Sequence, residues 1–315
     1  MVGLEEIAAA RRRLEGVAVR TPLLPYGRGV YLKPESLQPV GSFKLRGAYN
    51  KICTLSEAQR RRGVVAYSSG NHAQGVAYAA RELGVRATIV MPRGAPEVKL
   101  RRTRALGAEI APVGEGSEER RARAEELAAG RGYAIIPPYD DEAVIAGQGT
   151  VGLEIVEEVP EVATIWVPVG GGGLISGVAA AVKLGGSGAR VIGVEPELAA
   201  DARESFRRGE LVGISGERAG RTLADGLRAQ RLGEIPFRHI RRFVDDIVTV
   251  SEEQIADALR RLAFEARLVV EPSGAVAFAG CLAHGGGRAN VAVVSGGNVE
   301  PRTFVRLLAA EFTGV

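Results

Sequence analysis

Short apolar runs alternate along the chain with stretches in which apolar positions recur every three or four residues. That alternation is the signature of a parallel α/β sheet. Val64–Tyr67, Ala87–Met91, Glu109–Val113 and Tyr133–Ile136 read as strands. Between them, Ala73–Leu83 and Pro96–Leu106 read as helices closed by Gly84 and Gly107, and Glu118–Ala129 as a charged helix. A second series begins with the strand Thr164–Val169 and a helix from Leu174. The strands Val191–Glu195 and Ile247–Val250 follow. Ser251-Glu252-Glu253-Gln254 has the pattern of a capping box opening the next helix. Val291–Ser295 is the last strand, with a helix from about Thr303. No Pro-, Gly- or Ser-rich linker divides the chain and no fixed-period repeat is present. The expected fold is α/β, with two lobes flanking a cleft and Pro137-Pro138 as the crossing point.

Composition adds limits. Apolar residues make up 46% and charged residues 25% of 315, the balance of a globular chain with a sizeable core. Net charge is only +4, with basic residues interleaved among acids as in Glu118-Glu119-Arg120-Arg121. No basic stripe carries interleaved aromatics, so nucleic acid is not an expected partner. Val162–Val182 is free of charge and long enough to span a bilayer. But Pro168 and four consecutive glycines interrupt it, so it reads as strand, loop and helix, and no membrane association is expected. Cys53 and Cys281 are too isolated for a metal motif or a disulfide framework. The N-terminus is acidic and lacks an apolar h-region, and the expected compartment is the cytoplasm.

Lys44 is one of five lysines. Gly41-Ser42 reads as a loop ending in an N-cap, which puts Lys44 in the first helical turn. A cation there opposes the helix dipole by roughly 0.3–1 kcal/mol, and the same field lowers the amine's pKa. A neutral amine is what Schiff-base chemistry requires. Taken alone, the segment equally suits a solvated lysine behind a cap.

Three strands run into loops of small polar residues: Ser68-Ser69-Gly70-Asn71-His72, Gly170–Gly173 and Ser295-Gly296-Gly297-Asn298. Ligands of open α/β sheets bind outside the carboxyl ends of strands, and three such loops argue for one composite site. Gly170–Gly173 precedes a helix, so its N–H groups and the dipole suit a phosphate. The Lys of a Walker A motif is absent. A dinucleotide fingerprint fits poorly, with Ile175 or Ser176 at the third glycine, yet Glu195 lies about where a ribose-binding acid would, and that reading stays open. The Ser68–His72 loop offers donors for a carboxylate. His72 alone is more often a structural histidine than a base.

Ser42-Phe43-Lys44-Leu45-Arg46-Gly47-Ala48, Ser68-Ser69-Gly70-Asn71-His72-Ala73-Gln74-Gly75, the tetraglycine and Ser295-Gly296-Gly297-Asn298 occur in the order found in threonine dehydratases and serine racemases. Over nearly its whole length the chain resembles these fold-type II (tryptophan-synthase-β-like) pyridoxal-phosphate enzymes. The resemblance implies open, twisted, mostly parallel sheets with helices on both faces. It implies a large cofactor-binding domain of residues 1–55 and 141–315 and a small substrate-side domain of 56–140. Lys44 would carry pyridoxal 5'-phosphate as a Schiff base and act as the catalytic base. Phe43 would lie beside the ring, Asn71 would bond its 3′-oxygen, Gly170, Gly171, Gly172 and Gly173 would cradle the phosphate, and Ser295 would face the pyridine nitrogen. Ser68, Ser69, Asn71 and His72 would surround the substrate carboxylate. Glu195, the Ala199 carbonyl and Asp201 match the family's divalent-cation site, suited to Mg²⁺ or Ca²⁺. Asp225-Gly226 and Glu271-Pro272 would lie near the cleft.

The implied reaction is β-elimination from a hydroxy amino acid, L-threonine to 2-oxobutanoate and ammonia, with L-serine activity. Ser69 stands where serine racemases carry a catalytic serine and many dehydratases have Ala, so a racemase with side dehydratase activity is the alternative. Tyr139 is the aromatic that dehydratases tend to carry. A 3-hydroxyaspartate-type dehydratase is a further alternative, and a dinucleotide-dependent oxidoreductase a distant one. The partner is a small amino acid, the assembly a homodimer or homotetramer. The chain ends soon after the Ser295 motif, so feedback through an appended regulatory domain is not expected.

Overall fold

The computed structural model describes residues 1–309 except 28, 96, 115 and 288. Among the described residues ten strands form two sheets: β1 (Leu24–Gly27), β2 (Val30–Pro34), β3 (Val64–Tyr67), β4 (Ala87–Pro92), β5 (Glu109–Val113), β6 (Ala134–Ile135), β7 (Thr164–Pro168), β8 (Arg190–Pro196), β9 (Asp246–Val250) and β10 (Asn290–Val294). The larger sheet has the order β1-β2-β10-β7-β8-β9, the smaller β5-β4-β3-β6. β1 runs antiparallel to β2, and the other ladders among the described residues are parallel. Parallel strands are covered on both faces, which is why β4 and β10 are buried at every position.

Helix ends follow local chemistry. Ser251 and Gln254 close the expected capping box, and Ser56 with Gln59 closes another. The helix Glu97–Ala105 occupies the expected span, whose first residue, Pro96, lies outside the described residues. The last helix, Pro301–Ala309, begins two residues before the expected Thr303. No described helix is long and apolar enough to cross a membrane.

The helix Glu142–Glu158 is the spine of the molecule. It packs on the helix Gly173–Leu184 so closely that a Cβ on Gly177 would lie 2.3 Å from the Ile145 carbonyl oxygen. On its other side, a Cβ on Gly147 would lie 2.5 Å from the Arg46 carbonyl oxygen, so the helix Lys44–Thr54 is seated directly on it. Glycine is required at both crossings because the backbones themselves touch. The ends of β3, β7 and β10 then open onto one cleft between the two sheets, and the segment 137–141 crosses it.

Candidate active site

The cleft encloses about 520 Å³ and is lined by all three small-residue loops together with Phe43, Lys44 and Tyr139. Lys44 lies in the first turn of its helix, as expected, and is its first residue, because Ser42 is not the cap. Ser42 forms an antiparallel bridge with Gly296, and the Phe43 N–H donates to the Ser295 carbonyl at 3.2 Å. The Ser42 hydroxyl is buried without a partner, and the N-cap position passes to Phe43, which supplies no side-chain cap. Tertiary pairing with the last loop has overridden the local cap. The Lys44 amine donates to the Pro138 carbonyl at 2.6 Å and lies 5.2 Å from the centre of the Phe43 ring. Its pKa falls to about 8 through burial.

Ser68, Ser69, Gly70 and Asn71 carry the chain from β3 into the helix Asn71–Glu82, whose N-terminus has no side-chain cap. All four line the cleft. The Asn71 amide donates to Glu271 at 2.5 Å and accepts from Asn298 at 2.7 Å. Glu271 is pushed up to about 7 by burial and by Asp225, against the Asn71 bond and Lys99. His72 also borders the cleft, but its Nε2 is paired with the Ile136 carbonyl at 2.8 Å. A carbonyl only accepts, so Nε2 carries the proton. Burial, helped by the nearby Lys44, lowers the pKa to about 3. The ring is a neutral structural group, and its nitrogen is already engaged rather than offered to a carboxylate.

Gly170–Gly173 runs from β7 into the helix Gly173–Leu184, and Gly172 has φ +89°. No side chain caps this helix, so its first-turn N–H groups face the cleft loop unclaimed by a cap. The Tyr139 ring lies against the loop: a Cβ on Gly171 would fall 2.3 Å from it. Ser295 is buried at the end of β10 and borders the cleft. An uncapped helix N-terminus behind glycines fits a phosphate, and a half-buried amine of lowered pKa fits a Schiff base. The residues present therefore suit pyridoxal phosphate.

Glu195 and Asp201 are buried and are not among the residues lining the cleft. Glu195 accepts from the Ala202 and Arg203 N–H groups at 3.0 and 2.8 Å. One oxygen of Asp201 is buried with no partner. Burial raises both carboxyls, Asp201 to about 7, and Asp201 raises Glu195 further. Ala199 is buried in the single turn Glu197–Ala199 just before Asp201. Among the described residues no three acidic, His or Cys side chains cluster as ligands, so a cation here would draw on two carboxylates, a backbone carbonyl and water. The orphaned oxygen fits such a ligand set.

No local pattern in the chain announces the charged network beneath Lys44. Arg46 is buried and pairs with Glu35 at 2.8 Å and Glu154 at 2.6 Å, while buried Lys33 pairs with Glu154 at 2.6 Å. Two cations meet two carboxylates, and Thr21, Gln38 and Thr150 take up remaining hydrogen bonds. Across the cleft, Lys99 pairs with Asp225 at 3.1 Å and Arg102 reaches Asn298 at 3.4 Å.

Known proteins resemble the chain over nearly its whole length. The L-threonine ammonia-lyase of Thermotoga maritima is 45% identical over 98% of this chain and 78% of its own. The L-threo-3-hydroxyaspartate ammonia-lyase of Saccharomyces cerevisiae is 41% identical over 98% of this chain and 97% of its own. The crystal structure of a T.th. threonine deaminase superposes with a TM-score of 0.89 at 43% identity, covering 95% of this chain and 99% of that one. The model of the pyridoxal-phosphate dependent enzyme family matches residues 14–296, and the chain belongs to that family.

Proposed function

We propose that the protein is an ammonia-lyase converting L-threonine to 2-oxobutanoate and ammonia, with L-serine as a second substrate. The observation that carries this reading is the half-buried Lys44 amine, lowered to about 8, at the meeting point of the three loops. Bound pyridoxal phosphate supplies the electron sink that makes the substrate's Cα proton and β-hydroxyl labile. Lys44 holds the cofactor and takes the Cα proton at Nζ, a role assisted by a pKa lowered toward working pH, which raises the neutral fraction of the amine. Ser68, Ser69 and the uncapped N-terminus of Asn71–Glu82 bind the substrate carboxylate. Gly170–Gly173 and the helix behind them hold the phosphate, and Phe43 flanks the ring. Asn71 donates to the ring oxygen. Ser295 faces the ring nitrogen, and its hydroxyl, unlike a carboxylate, does not force that nitrogen to be protonated. Tyr139 closes the glycine loop from one side.

The same reading makes residues 1–55 and 141–315 the cofactor-binding domain and 56–140 the substrate-side domain, a division supported by the membership of the two sheets. It places Mg²⁺ or Ca²⁺ at Glu195, Ala199 and Asp201 as a structural or activating ion. It takes the assembly to be a homodimer or homotetramer working in the cytoplasm. Ser69 in the cleft supports a second reading, serine racemase, because its hydroxyl can serve as a proton donor.

Purified protein loaded with pyridoxal phosphate is expected to be yellow, and borohydride is expected to fix the cofactor on Lys44. A panel of hydroxy amino acids scored for 2-oxo acid then ranks the substrates. D-serine appearing faster than pyruvate would favour the racemase. A colourless protein that takes up no pyridoxal phosphate overturns the whole reading.

A further inference from the structure

Asn298 ends the Ser295-Gly296-Gly297-Asn298 loop and has no part in the chemistry above. Its Nδ2 makes two bonds, to the Val40 carbonyl at 2.8 Å and to Asn71 Oδ1 at 2.7 Å. Its Oδ1 accepts from Arg102 at 3.4 Å. The far side of Asn71 donates from Nδ2 to Glu271.

The two ends of this chain fix everything between them. The Val40 carbonyl can only accept, so the atom of Asn298 facing it is the nitrogen. The second hydrogen of that nitrogen then points at Asn71, and only an oxygen can receive it. Turning Asn298 over would bring two acceptors together at Val40 and set its NH₂ against the Arg102 guanidinium. Turning Asn71 over would bring two donors together at Asn298 and present an oxygen to the Glu271 carboxyl. Each mismatch sets like groups against each other in a half-buried part of the cleft, at the cost of a hydrogen bond. With Oδ1 committed to Asn298 and one N–H to Glu271, Asn71 keeps a single N–H without a partner among the described residues. The contact also crosses the cleft: Asn71 opens the helix after β3, whereas Asn298 and Glu271 belong to the larger-sheet side. Gly41 completes the fit. It has φ +70°, and a Cβ there would lie 2.8 Å from Asn298 Oδ1.

We infer that Asn298 is a positioning residue that locks the Asn71 carboxamide in the one orientation that keeps an N–H free for an anionic oxygen of the cofactor ring. This rests on the pyridoxal-phosphate reading of the cleft. An N–H donated to an anionic oxygen stabilises that charge, so the lock bears on cofactor affinity and on the charge state of the bound chromophore.

The test compares wild type, Asn298→Asp, Asn71→Ala and the double variant, all loaded with pyridoxal phosphate. Affinity is read from the equilibrium of uptake and chromophore charge from the pH dependence of the absorption spectrum. A carboxylate at 298 can only accept, so Asn71 must turn or abandon the contact. Asn298→Asp is expected to weaken cofactor binding about tenfold or more and to move the midpoint of the spectral titration. In the Asn71→Ala background the same substitution is expected to add less than about a twofold change, because its effect passes through Asn71. If Asn298→Asp does not fold, Asn298→Ala, which removes the donor without adding charge, takes its place, with a smaller loss expected and the same non-additivity required. Cofactor affinity and spectrum unchanged in the 298 variant, or full losses that multiply in the double variant, overturn the inference. Failure of the wild-type protein to bind pyridoxal phosphate would instead overturn the reading beneath it.

Discussion

The Lys44 amine reaches the carbonyl oxygen of Pro138, 94 residues along the chain, at 2.6 Å. The segment that presents this oxygen is anchored on its far side. Asp140 accepts from the Glu234 and Ile235 N–H groups and so caps the helix Glu234–Phe243. Asp141 caps the helix Glu142–Glu158 and pairs with Lys51. A carbonyl accepts equally from an ammonium or an amine, so the contact fixes the position of Nζ without dictating its charge.

The cofactor-free protein is expected to carry a stability cost at Lys44 that depends on pH. Burial lowers the folded-state pKa to about 8 from 10.5. Between those values the unfolded chain binds a proton that the folded chain does not, so stability rises with pH across that window. Below pH 8 the lysine is charged in both states and the full burial cost applies. Lys44→Met removes it. The apo variant is expected to melt a few degrees above apo wild type at pH 7, with the gap closing by pH 10. Paired thermal denaturation at the two pH values checks this, and a variant that melts lower at pH 7 contradicts it.

The network under the Lys44 helix makes Arg46 a strong point of failure. Burial pushes the Glu35 carboxyl up, but Arg46 holds it below the usual carboxylate range. Arg46→Met leaves Glu35 and Glu154 without their guanidinium partner, and breaking such a buried pair costs about 3–5 kcal/mol. Urea denaturation is expected to show a loss of that size. Lysine is a poor replacement, because the guanidinium bonds Glu35, Glu154 and Thr150 at once from a planar fork.

The contrast between Lys44 and Lys33 shows what the sequence could express. Lys44 sits among small residues at a predicted helix start, and the three loops follow predicted strands, so local pattern and strand-end geometry bring them together. Lys33 looks ordinary beside Pro34, because its partner Glu154 is 121 residues away and its burial arises only when β2 packs near the helix Glu142–Glu158. Ser42 shows the reverse error: a sound local cap signal lost to a bridge with Gly296. Periodicity and caps report contacts within a few residues. Pairs made by tertiary packing leave no comparable trace in one sequence.

The glycine loop and Tyr139 are expected to behave as one unit. A methyl group on Gly171 would meet the Tyr139 ring at 2.3 Å, a separation no real contact allows. Gly171→Ala is therefore expected to displace the ring and weaken pyridoxal-phosphate binding about tenfold, roughly one lost charge-assisted hydrogen bond. Adding Tyr139→Ala removes the obstacle, so the double variant is expected to bind more tightly than Gly171→Ala alone. Equilibrium uptake of the cofactor measures both, and a double variant weaker than the single one would show that the ring is not what the methyl group strikes.

Asp201 sets the last prediction. One of its oxygens is buried with no hydrogen-bond partner, and its charge disfavours ionisation of Glu195, while burial raises both carboxyls. A divalent cation bound there would supply the missing partner and offset the repulsion. Mg²⁺ or Ca²⁺ added to chelator-treated protein is expected to raise the melting temperature. A site filled at a hundred times its dissociation constant contributes about 2.7 kcal/mol. Asp201→Asn is expected to abolish that cation-dependent rise while leaving the metal-free protein no less stable than wild type, because the substitution removes one of two crowded carboxylates. Melting curves of both proteins in chelator and in each cation decide the matter: a rise that survives in Asp201→Asn places the ion elsewhere.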